Sequence, residues 1–293
     1  MDHIRQAIDR LKGSRPASAP IEDLSGHPTL DFQPRSDLIA PSTSRQYPMR
    51  QVPLNGGYLE SRRIIAHDIT DPRSKSFDML RTQVLQTMEI KSWQTVGVTS
   101  PTPGCGKTVV STNLALSIAR QQNRSVILID LDFQKPQVAN YLGLNTKHGI
   151  MSVLEGRTGL AETIVEASIK NERISVLPCE TAILNSSEWI ASKSMDNILQ
   201  QIKRDYSDGI IIYDLPPVLT GDDVITILPR LDCVLFVAAI GTTTKSDMKE
   251  ASKHLEHASI VRVVLNKSSE LPATYYARYS ETSSHGRKRR RAS

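Results

Sequence analysis

The residues best suited to chemistry lie between Ser100 and Thr108, where the sequence predicts a phosphate-binding loop. An apolar run ending at Thr99 leads into a loop rich in proline and glycine, and the following segment, which opens with Lys107, has the pattern of a helix. Such a loop wraps its backbone N–H groups around phosphates at a helix N-terminus, where the peptide dipole favours negative charge. In this geometry the lysine bridges the terminal phosphates and the threonine ligates Mg²⁺.

The loop departs at one position from the common pattern G-x-x-x-x-G-K-[ST], because Pro101 stands where that pattern has its first glycine. A turn rich in glycine and proline, with an incidental lysine, is the alternative interpretation. The order of strand, loop and helix is the one that nucleotide binding needs, so we expect Mg-ATP to bind here. The predicted nucleotide contacts are Pro103, Gly104, Cys105, Gly106, Lys107, Thr108 and Val109.

Aspartates end two further apolar runs. V-I-L-I-D-L-D carries Asp130 and Asp132, and I-I-I-Y-D-L-P-P carries Asp214. Carboxylates at the carboxyl ends of buried strands are costly unless they meet a cation or water, and a magnesium ion with its waters supplies both. Each aspartate could instead be an ordinary helix cap. Their common position beside a phosphate loop favours one shared site.

The elements that must position these residues alternate between apolar β-branched runs and longer amphipathic segments. Continuous apolar strands that alternate with helices predict a mainly parallel central sheet flanked by helices, in the α/β class of P-loop NTPases. Ligands of such sheets bind at the carboxyl ends of the strands. The predicted strands are Thr95–Thr99, Ser125–Leu131, Ile174–Leu177, Gly209–Asp214, Cys233–Ala239 and Val261–Asn266. The predicted helices are Ser76–Lys91, Lys107–Gln122, Ser187–Arg204 and Thr244–His257.

The chain divides into four predicted regions. Residues 1–12 have the pattern of a short amphipathic helix, and residues 13–57, rich in Pro, Ser and Arg, predict a disordered arm or linker. The catalytic domain is expected at 58–270. Residues 271–293 form a predicted tail with three tyrosines and a basic end.

Composition restricts the partners. The formal net charge is +5, but the last seven residues hold five basic side chains, so the body of the protein is neutral and nucleic acid is not its expected partner. The basic end is either a solvated tail or a contact for anionic lipid or nucleic acid. The three cysteines are widely spaced, which predicts a reducing compartment and no metal site of cysteines. With no apolar run long enough to span a bilayer, we expect a cytoplasmic protein.

The loop T-S-x-x-P-G-x-G-K-T, the D-x-D and the D-x-P-P-V-L together resemble the bacterial tyrosine kinases of capsule and exopolysaccharide synthesis, a branch of the Min and partitioning type ATPases. The resemblance runs from about Arg63 to Asn266. It implies that Lys107 and Thr108 hold phosphate and Mg²⁺ and that Asp130 orients or deprotonates the acceptor. It further implies that Asp132 and Asp214 help to hold the metal through water.

The same resemblance makes Asn266 a candidate for recognition of the adenine edge, although an asparagine that ends a strand in a turn is the alternative. Thr102 stands where the Min and partitioning ATPases carry their signature lysine, which favours the kinase branch. Cys105 stands where many kinase relatives have glutamate. It is either an oxidisable thiol or a small residue of the loop.

Three departures from the family pattern bear on activity. Gln134 and its neighbours replace arginines that usually follow the D-x-D, leaving Lys135 to steady the transferred phosphate. The E-x-x-R-x-x-R oligomerisation motif of relatives appears here as Lys75, Asp78 and Arg81, and its two reversed charges weigh against ring assembly in the family manner. The tyrosine cluster, the usual autophosphorylation target, is reduced to Tyr275, Tyr276 and Tyr279.

Two functions follow as hypotheses. The first is transfer of the γ-phosphate of ATP to the tail tyrosines, with a membrane-embedded chain-length or export protein as activator and peripheral contact with the membrane through that partner. The second is an ATP-dependent switch that regulates export without phosphorylating a protein. A DNA-partitioning ATPase, a third interpretation, is disfavoured by Thr102 and the neutral body.

Overall fold

A computed structural model describes residues 49–121 and 124–268. The predictions of an amphipathic helix at 1–12 and of the tail at 271–293, including Tyr275, Tyr276 and Tyr279, lie outside these residues, as does most of the arm. Within the described ranges no helix is both long and apolar enough to cross a bilayer.

The described residues form an α/β structure around one mixed sheet of eight strands, with the spatial order β1-β4-β5-β3-β6-β2-β7-β8. Only the β4–β5 pairing within this sheet is antiparallel. The strands are β1 (Arg50–Pro53), β2 (Thr95–Thr99), β3 (Val126–Asp130), β4 (Val165–Ile169), β5 (Glu172–Leu177), β6 (Ile210–Asp214), β7 (Cys233–Ala239) and β8 (Ile260–Asn266).

Helices cover both faces of the sheet. They are α1 (Gly56–Ser61), α2 (Ser74–Lys91), α3 (Lys107–Ala119), α4 (Val138–Leu142), α5 (Ile150–Leu154), α6 (Leu160–Thr163), α7 (Ser186–Ile190), α8 (Lys193–Asp205), α9 (Asp223–Ile227) and α10 (Lys245–His254), with 3₁₀ turns at Val218–Thr220 and Leu228–Arg230. This arrangement confirms the predicted fold class.

The core consists of two apolar clusters, one on each face of the sheet. Successive residues of β3 point to opposite faces, so Leu128 belongs to one cluster while Ile127 and Ile129 belong to the other. The first cluster contains the buried sides of α2 and α3, and the second contains those of α8 and α10. Because every residue of β2, β3, β6 and β7 is buried, these strands are the continuous apolar runs seen in the sequence.

The register of the central strands brings the candidate site together. Asp130 of β3 pairs with Asp214 of β6 in parallel, and Asp214 pairs in turn with Val98 of β2. Strand β2, which leads into the loop at Ser100, therefore lies beside β6, and β6 lies beside β3, which leads to Asp132. All three strands end at the same edge of the sheet.

Two sequence predictions are wrong in detail, and one element of the fold was missed. The strand Arg50–Pro53 falls inside the range predicted to lack regular structure, and the hairpin that joins β4 to β5 was not predicted. The single helix predicted at Ser187–Arg204 is two helices: the first ends at Ile190, and Ser192 begins the second by accepting a hydrogen bond from the backbone N–H of Met195 at 3.1 Å.

Candidate nucleotide-binding site

The chain that follows β6 anchors the start of the loop from Ser100 to Thr108 through backbone hydrogen bonds. The carbonyl oxygen of Ser100 accepts from the N–H of Val218 at 2.8 Å, and that of Pro101 accepts from the N–H of Leu219 at 3.1 Å. The loop ends at Gly106, which has a φ of 89° and precedes the first residue of α3. This left-handed backbone suits glycine and turns the chain into the helix whose N-terminus faces the site.

Lys107 reaches across the sheet edge to the residue that follows β3. Its Nζ atom lies 2.5 Å from Oδ2 of Asp132, and both side chains are largely buried. The Oδ1 atom of Asp132 accepts from the backbone N–H of Lys135 at 3.1 Å, which holds the carboxylate in place. The P-loop lysine and the D-x-D motif therefore meet directly.

Thr108 contacts the aspartate at the end of β6. Its hydroxyl donates to Oδ2 of Asp214 at 2.6 Å, while Ser111, one turn further along α3, donates to Oδ1 at 3.1 Å. Since the Thr108 hydrogen is engaged, its oxygen keeps lone pairs for a metal ion. Sequence reasoning missed Ser111, although its spacing of three residues from Thr108 on a helix signals a shared face.

Asp130 is completely buried and anchors the loop that follows β3. Its Oδ2 atom accepts from the backbone N–H groups of Gln137 and Val138, both at 2.9 Å, and its Oδ1 atom accepts from that of Asp132 at 3.2 Å. The helix-cap interpretation is therefore part of its role, because α4 begins at Val138. Its assignment as the group that orients or deprotonates an acceptor stays a prediction.

The electrostatics of this edge favour a bound cation. Burial raises the pKa of Asp214, and burial together with the charge of Asp214 raises the pKa of Asp130 well above its ordinary value. Burial alone would lower the pKa of Lys107, but the carboxylates of Asp214 and Asp132 hold it above its ordinary value. Ionisation of these carboxyl groups is costly without a cation and becomes favourable when a divalent cation is bound.

The donor set fits Mg²⁺ held by few protein ligands. Among residues 49–121 and 124–268, no group of three or more His, Cys, Asp or Glu side chains is arranged to hold a metal ion directly. P-loop proteins bind Mg²⁺ through a threonine oxygen, phosphate oxygens and waters, with carboxylates behind the waters. Thr108 and Asp214, joined by a hydrogen bond of 2.6 Å, match that arrangement.

Asn266 lies against the loop, at the end of the edge strand β8. Its Nδ2 atom donates to the carbonyl oxygen of Cys105 at 2.9 Å, and the next residue, Lys267, turns the chain with a φ of 58°. Asn266 therefore ends a strand, as expected of a turn residue, and also lies at the phosphate loop, as expected of a residue that contacts the nucleotide. Its contact with an adenine edge stays a prediction.

The thiol of Cys105 points away from solvent. Its side chain is buried, and its Sγ atom lies 3.4 Å from the hydroxyl of Thr243. Because reactive thiols are partly exposed, this position favours the interpretation of Cys105 as a packing residue of the loop.

Asp78 and Arg81 of the charged motif on α2 bind partners within the same chain. Asp78 accepts hydrogen bonds from Arg81 and Arg120, at 3.1 Å and 3.0 Å, and from the hydroxyl of Ser117 at 2.7 Å. Arg81 also donates to the carbonyl oxygen of Ser117 at 2.9 Å. These contacts tie α2 to α3, which carries Lys107.

The structure thus brings together Lys107, Thr108, Asp130, Asp132, Asp214 and Asn266. Sequence reasoning missed a second cluster at the rim of the site, made by Ser186 and Asp223, whose partner is Gln134. These residues are far apart along the chain and have no fixed spacing that could have revealed them. The fold and the site together define a P-loop nucleotide-binding protein of the α/β class.

Comparison with known proteins agrees with this class. A family model described as an AAA domain matches residues 94–245. A putative tyrosine-protein kinase EpsB of Ralstonia nicotianae is 31% identical over 235 residues, which cover 80% of this chain and 30% of that protein. The tyrosine-protein kinase YwqD of Bacillus subtilis is 30% identical over 204 residues, which cover 69% of this chain and 83% of that protein.

Solved structures show the same relationship. The VpsO kinase domain is 25% identical and superimposes with a TM-score of 0.59, covering 67% of this chain and 96% of that domain. The chain therefore belongs to the AAA-domain P-loop ATPases, in the branch of the bacterial tyrosine kinases. It spans 30% of the length of its Ralstonia relative.

Proposed function

We propose that this chain binds Mg-ATP at Ser100–Thr108 and transfers the γ-phosphoryl group to tyrosine, within the machinery that makes and exports capsule or exopolysaccharide. The observation that carries the proposal is the meeting of the P-loop with both aspartate motifs: Lys107 contacts Asp132, and Thr108 contacts Asp214. A loop that served only as a turn would not need these contacts.

Each residue has a defined task in this proposal. The backbone N–H groups from Gly104 to Val109 surround the phosphates, and the Lys107 ammonium binds their terminal oxygens. Thr108 would ligate a bound Mg²⁺ ion, and the carboxylates of Asp132 and Asp214 would help to hold it through water. Mg²⁺, when bound, neutralises charge on the β- and γ-phosphates. Asn266, which already lies at the loop, contacts the adenine edge.

The transfer step needs positioning and charge stabilisation rather than covalent chemistry by the protein. The tyrosine oxygen forms a bond to the γ-phosphorus, the bond from that phosphorus to the β–γ bridging oxygen breaks, and ADP leaves. Asp130 orients the tyrosine hydroxyl and accepts its proton. Lys135, exposed just beyond Asp132, steadies the transferred phosphoryl group.

The acceptors in this proposal are Tyr275, Tyr276 and Tyr279, on a neighbouring copy of the chain. A membrane-embedded chain-length or export protein activates the reaction. The support for such a partner is the similarity to tyrosine kinases such as EpsB and YwqD, together with the family resemblance of the motifs.

The second candidate is a nucleotide-dependent switch, in which ATP binding changes the affinity for a partner and slow hydrolysis resets it. One observation favours it. The side chain of Arg81 is 15% exposed and its guanidinium is bonded to Asp78 and Ser117 of its own chain, so it is not offered to a neighbouring copy for ring assembly.

Phosphotyrosine formation separates the two candidates. The purified full chain is incubated with Mg-ATP, alone and with cytoplasmic fragments of polysaccharide export proteins, and phosphotyrosine and released phosphate are measured. We expect phosphotyrosine that is lost in Lys107→Met and in the triple Tyr275/Tyr276/Tyr279→Phe variant.

The matched control is Lys249→Met, which removes an exposed lysine of α10 and should leave the signal unchanged. Phosphate release without phosphotyrosine in every mixture would overturn the kinase proposal in favour of the switch. A signal that survives Lys107→Met would overturn both.

A further inference from the structure

Three loop segments converge on one buried carboxylate beside the candidate site. Asp223, the first residue of α9, is 2% exposed. The hydroxyl of Ser186 lies 2.8 Å and 2.7 Å from its two carboxylate oxygens, and Nε2 of Gln134 donates to Oδ2 at 3.1 Å. These partners are 37 and 89 residues from Asp223 in the sequence, so the contact joins parts of the chain that meet only in the folded protein.

Each segment begins at the edge of the sheet where the nucleotide site lies. Gln134 follows β3 and is two residues from Asp132; Ser186 follows β5, and Asp223 follows β6. The segment of Asp223 also includes Val218, whose N–H donates to Ser100 of the phosphate loop at 2.8 Å. Asp223 is therefore linked in one direction to the loop that holds phosphate and in the other to the segment that presents Asp132.

The segment 132–135 is also anchored by the completely buried side chain of Phe133 and by the hydrogen bond from the Asp132 N–H to Asp130 at 3.2 Å. The carbonyl oxygen of Phe133 accepts from the N–H of Ile183 at 2.9 Å, and the N–H of Lys135 bonds within the segment to Asp132. Gln134 and Lys135 are exposed. The side chain of Gln134 links this segment to the chain after β6, through its hydrogen bond to Asp223.

Burying a carboxylate among neutral partners costs free energy. The contact therefore indicates a role in holding the three segments in position. Burial raises the pKa of Asp223, and the nearby carboxylates of Asp222 and Asp132 act in the same direction, against the hydrogen bonds from Ser186 and Gln134. Capping of α9 does not explain this position, because the N-cap residue of α9 is Asp222 and the Asp223 side chain is bonded to Ser186 and Gln134 instead.

We propose that Asp223 and Gln134 form a clasp that fixes the segment 132–135, and so positions Asp132 and Lys135 for phosphoryl transfer. Asp223 is a positioning residue: it acts through Gln134 and does not touch the reacting atoms. The proposal rests on the proposed function for its catalytic consequence. Whether the clasp fixes the segment can be tested without measuring phosphoryl transfer.

The activity-free test is amide hydrogen exchange of the full chain. In Asp223→Ala and in Gln134→Glu, which places two carboxylates together, we expect the N–H groups of Lys135 and Ile183 to exchange at least about tenfold faster than in the unmodified protein, because their segment loses its clasp. Asp222→Ala, which removes the adjacent exposed carboxylate, is the matched control and should leave both rates unchanged.

The kinetic test separates positioning from folding. Misplacement by about 1 Å can lower a transfer rate by about 100-fold, so we expect kcat for γ-phosphoryl transfer to fall about 10- to 100-fold in Asp223→Ala and Gln134→Glu. KM for Mg-ATP should change less than about threefold. Gln134→Arg gives Asp223 a cationic partner and should keep kcat within about threefold of the unmodified protein.

Either of two results would overturn the clasp. In the first, exchange at Lys135 and Ile183 is unchanged in Asp223→Ala. In the second, Asp223→Ala loses stability and nucleotide binding together while Gln134→Glu behaves like the unmodified chain, as a purely structural role requires. Accelerated exchange with ATP hydrolysis but no phosphotyrosine would support the clasp and reject the kinase proposal, so the two failures are distinguishable.

Discussion

The Nζ atom of Lys107 lies 2.5 Å from Oδ2 of Asp132, which joins the phosphate loop after β2 to the chain that leaves β3. The two strands are not neighbours, since β6 lies between them. The contact therefore crosses the end of β6, directly at Asp214, and it places one ammonium group among the carboxyl groups that end the central strands. This relationship determines how the site responds to phosphate and metal.

Asp132→Asn should reduce the dependence of ATP affinity on Mg²⁺. The variant removes a negative charge that opposes free phosphate and supports the hydrated metal, so ATP should bind better without Mg²⁺ and less well with it. We expect the ratio of the two affinities to shrink by about tenfold, which corresponds to about 1.4 kcal/mol. Titrations with Mg²⁺ and with EDTA measure it. An unchanged ratio, equal to that of the exposed control Asp222→Asn, would contradict this role.

Gly106→Ala should disable the loop, whereas Gly104→Ala should not. Both glycines have positive φ, 89° and 80°, so alanine strains the backbone by about 1–2 kcal/mol at each. A Cβ atom at Gly106 would also lie 2.3 Å from Nδ2 of Asn266, while a Cβ at Gly104 meets no atom within 4 Å. We expect at least about tenfold weaker nucleotide binding for Gly106→Ala only. Equal losses in both variants would mean that the contact with Asn266 is unimportant.

Asn113→Leu should loosen the segment before α2 from the helix that carries Lys107. The Asn113 side chain accepts from the N–H groups of Ile65 and Ala66, at 2.8 Å and 2.9 Å, and donates to the carbonyl of Arg63 at 3.0 Å. Leucine of similar size leaves these buried groups without partners, at about 1–3 kcal/mol each.

We expect the free energy of unfolding of Asn113→Leu to fall by about 2–4 kcal/mol in urea titrations, given that these costs are not fully additive. Asn197→Leu, on an exposed position of α8, provides the control and should change stability little. A loss no larger than that of the control would show that Asn113 does not hold the segment.

Glu180→Gln should lower stability in a pH-dependent way. The Glu180 carboxylate accepts from the N–H and the hydroxyl of Ser152, at 2.7 Å and 2.6 Å, and so caps α5. Burial alone would raise the pKa of Glu180, but these hydrogen bonds outweigh it and the pKa lies below 4.5. A lowered folded-state pKa means stability that is fully present above about pH 4.5 and is lost as pH falls through the folded-state pKa.

At pH 7 we expect the variant to be less stable by about 1–2 kcal/mol, and the difference from the unmodified chain to narrow below pH 4.5, the ordinary pKa of a glutamate. Urea titrations at several pH values measure it, with Glu256→Gln at an exposed position as the control. A difference that stays constant with pH would exclude the charged cap.

The sequence predicts much of the fold and the centre of the site because both depend on local patterns. Continuous apolar runs identify the buried strands, and parallel strands with aspartates at their carboxyl ends must bring Asp130 and Asp214 to one edge. The partnership of Lys107 with Asp132 follows from the same topology.

What the sequence does not reveal depends on contacts between distant residues or on weak local signals. The strand Arg50–Pro53 has four residues and gains its stability from pairing with β4. The β4–β5 hairpin turns at Lys170, which adopts a φ of 51° without the glycine that usually marks such a turn. Asn113 and Asp223 bind segments that are 37 to 89 residues away, so no spacing points to them.

Calorimetric titration of Mg-ATP into the unmodified chain, Lys107→Met and Lys249→Met tests the central claim most directly. Charge-assisted hydrogen bonds contribute about 1.5–3 kcal/mol, so Lys107→Met should bind Mg-ATP about 10- to 150-fold more weakly, while Lys249→Met binds like the unmodified protein. If a folded Lys107→Met variant bound Mg-ATP as tightly as the unmodified chain, the assignment of Ser100–Thr108 as the phosphate-binding loop would be wrong.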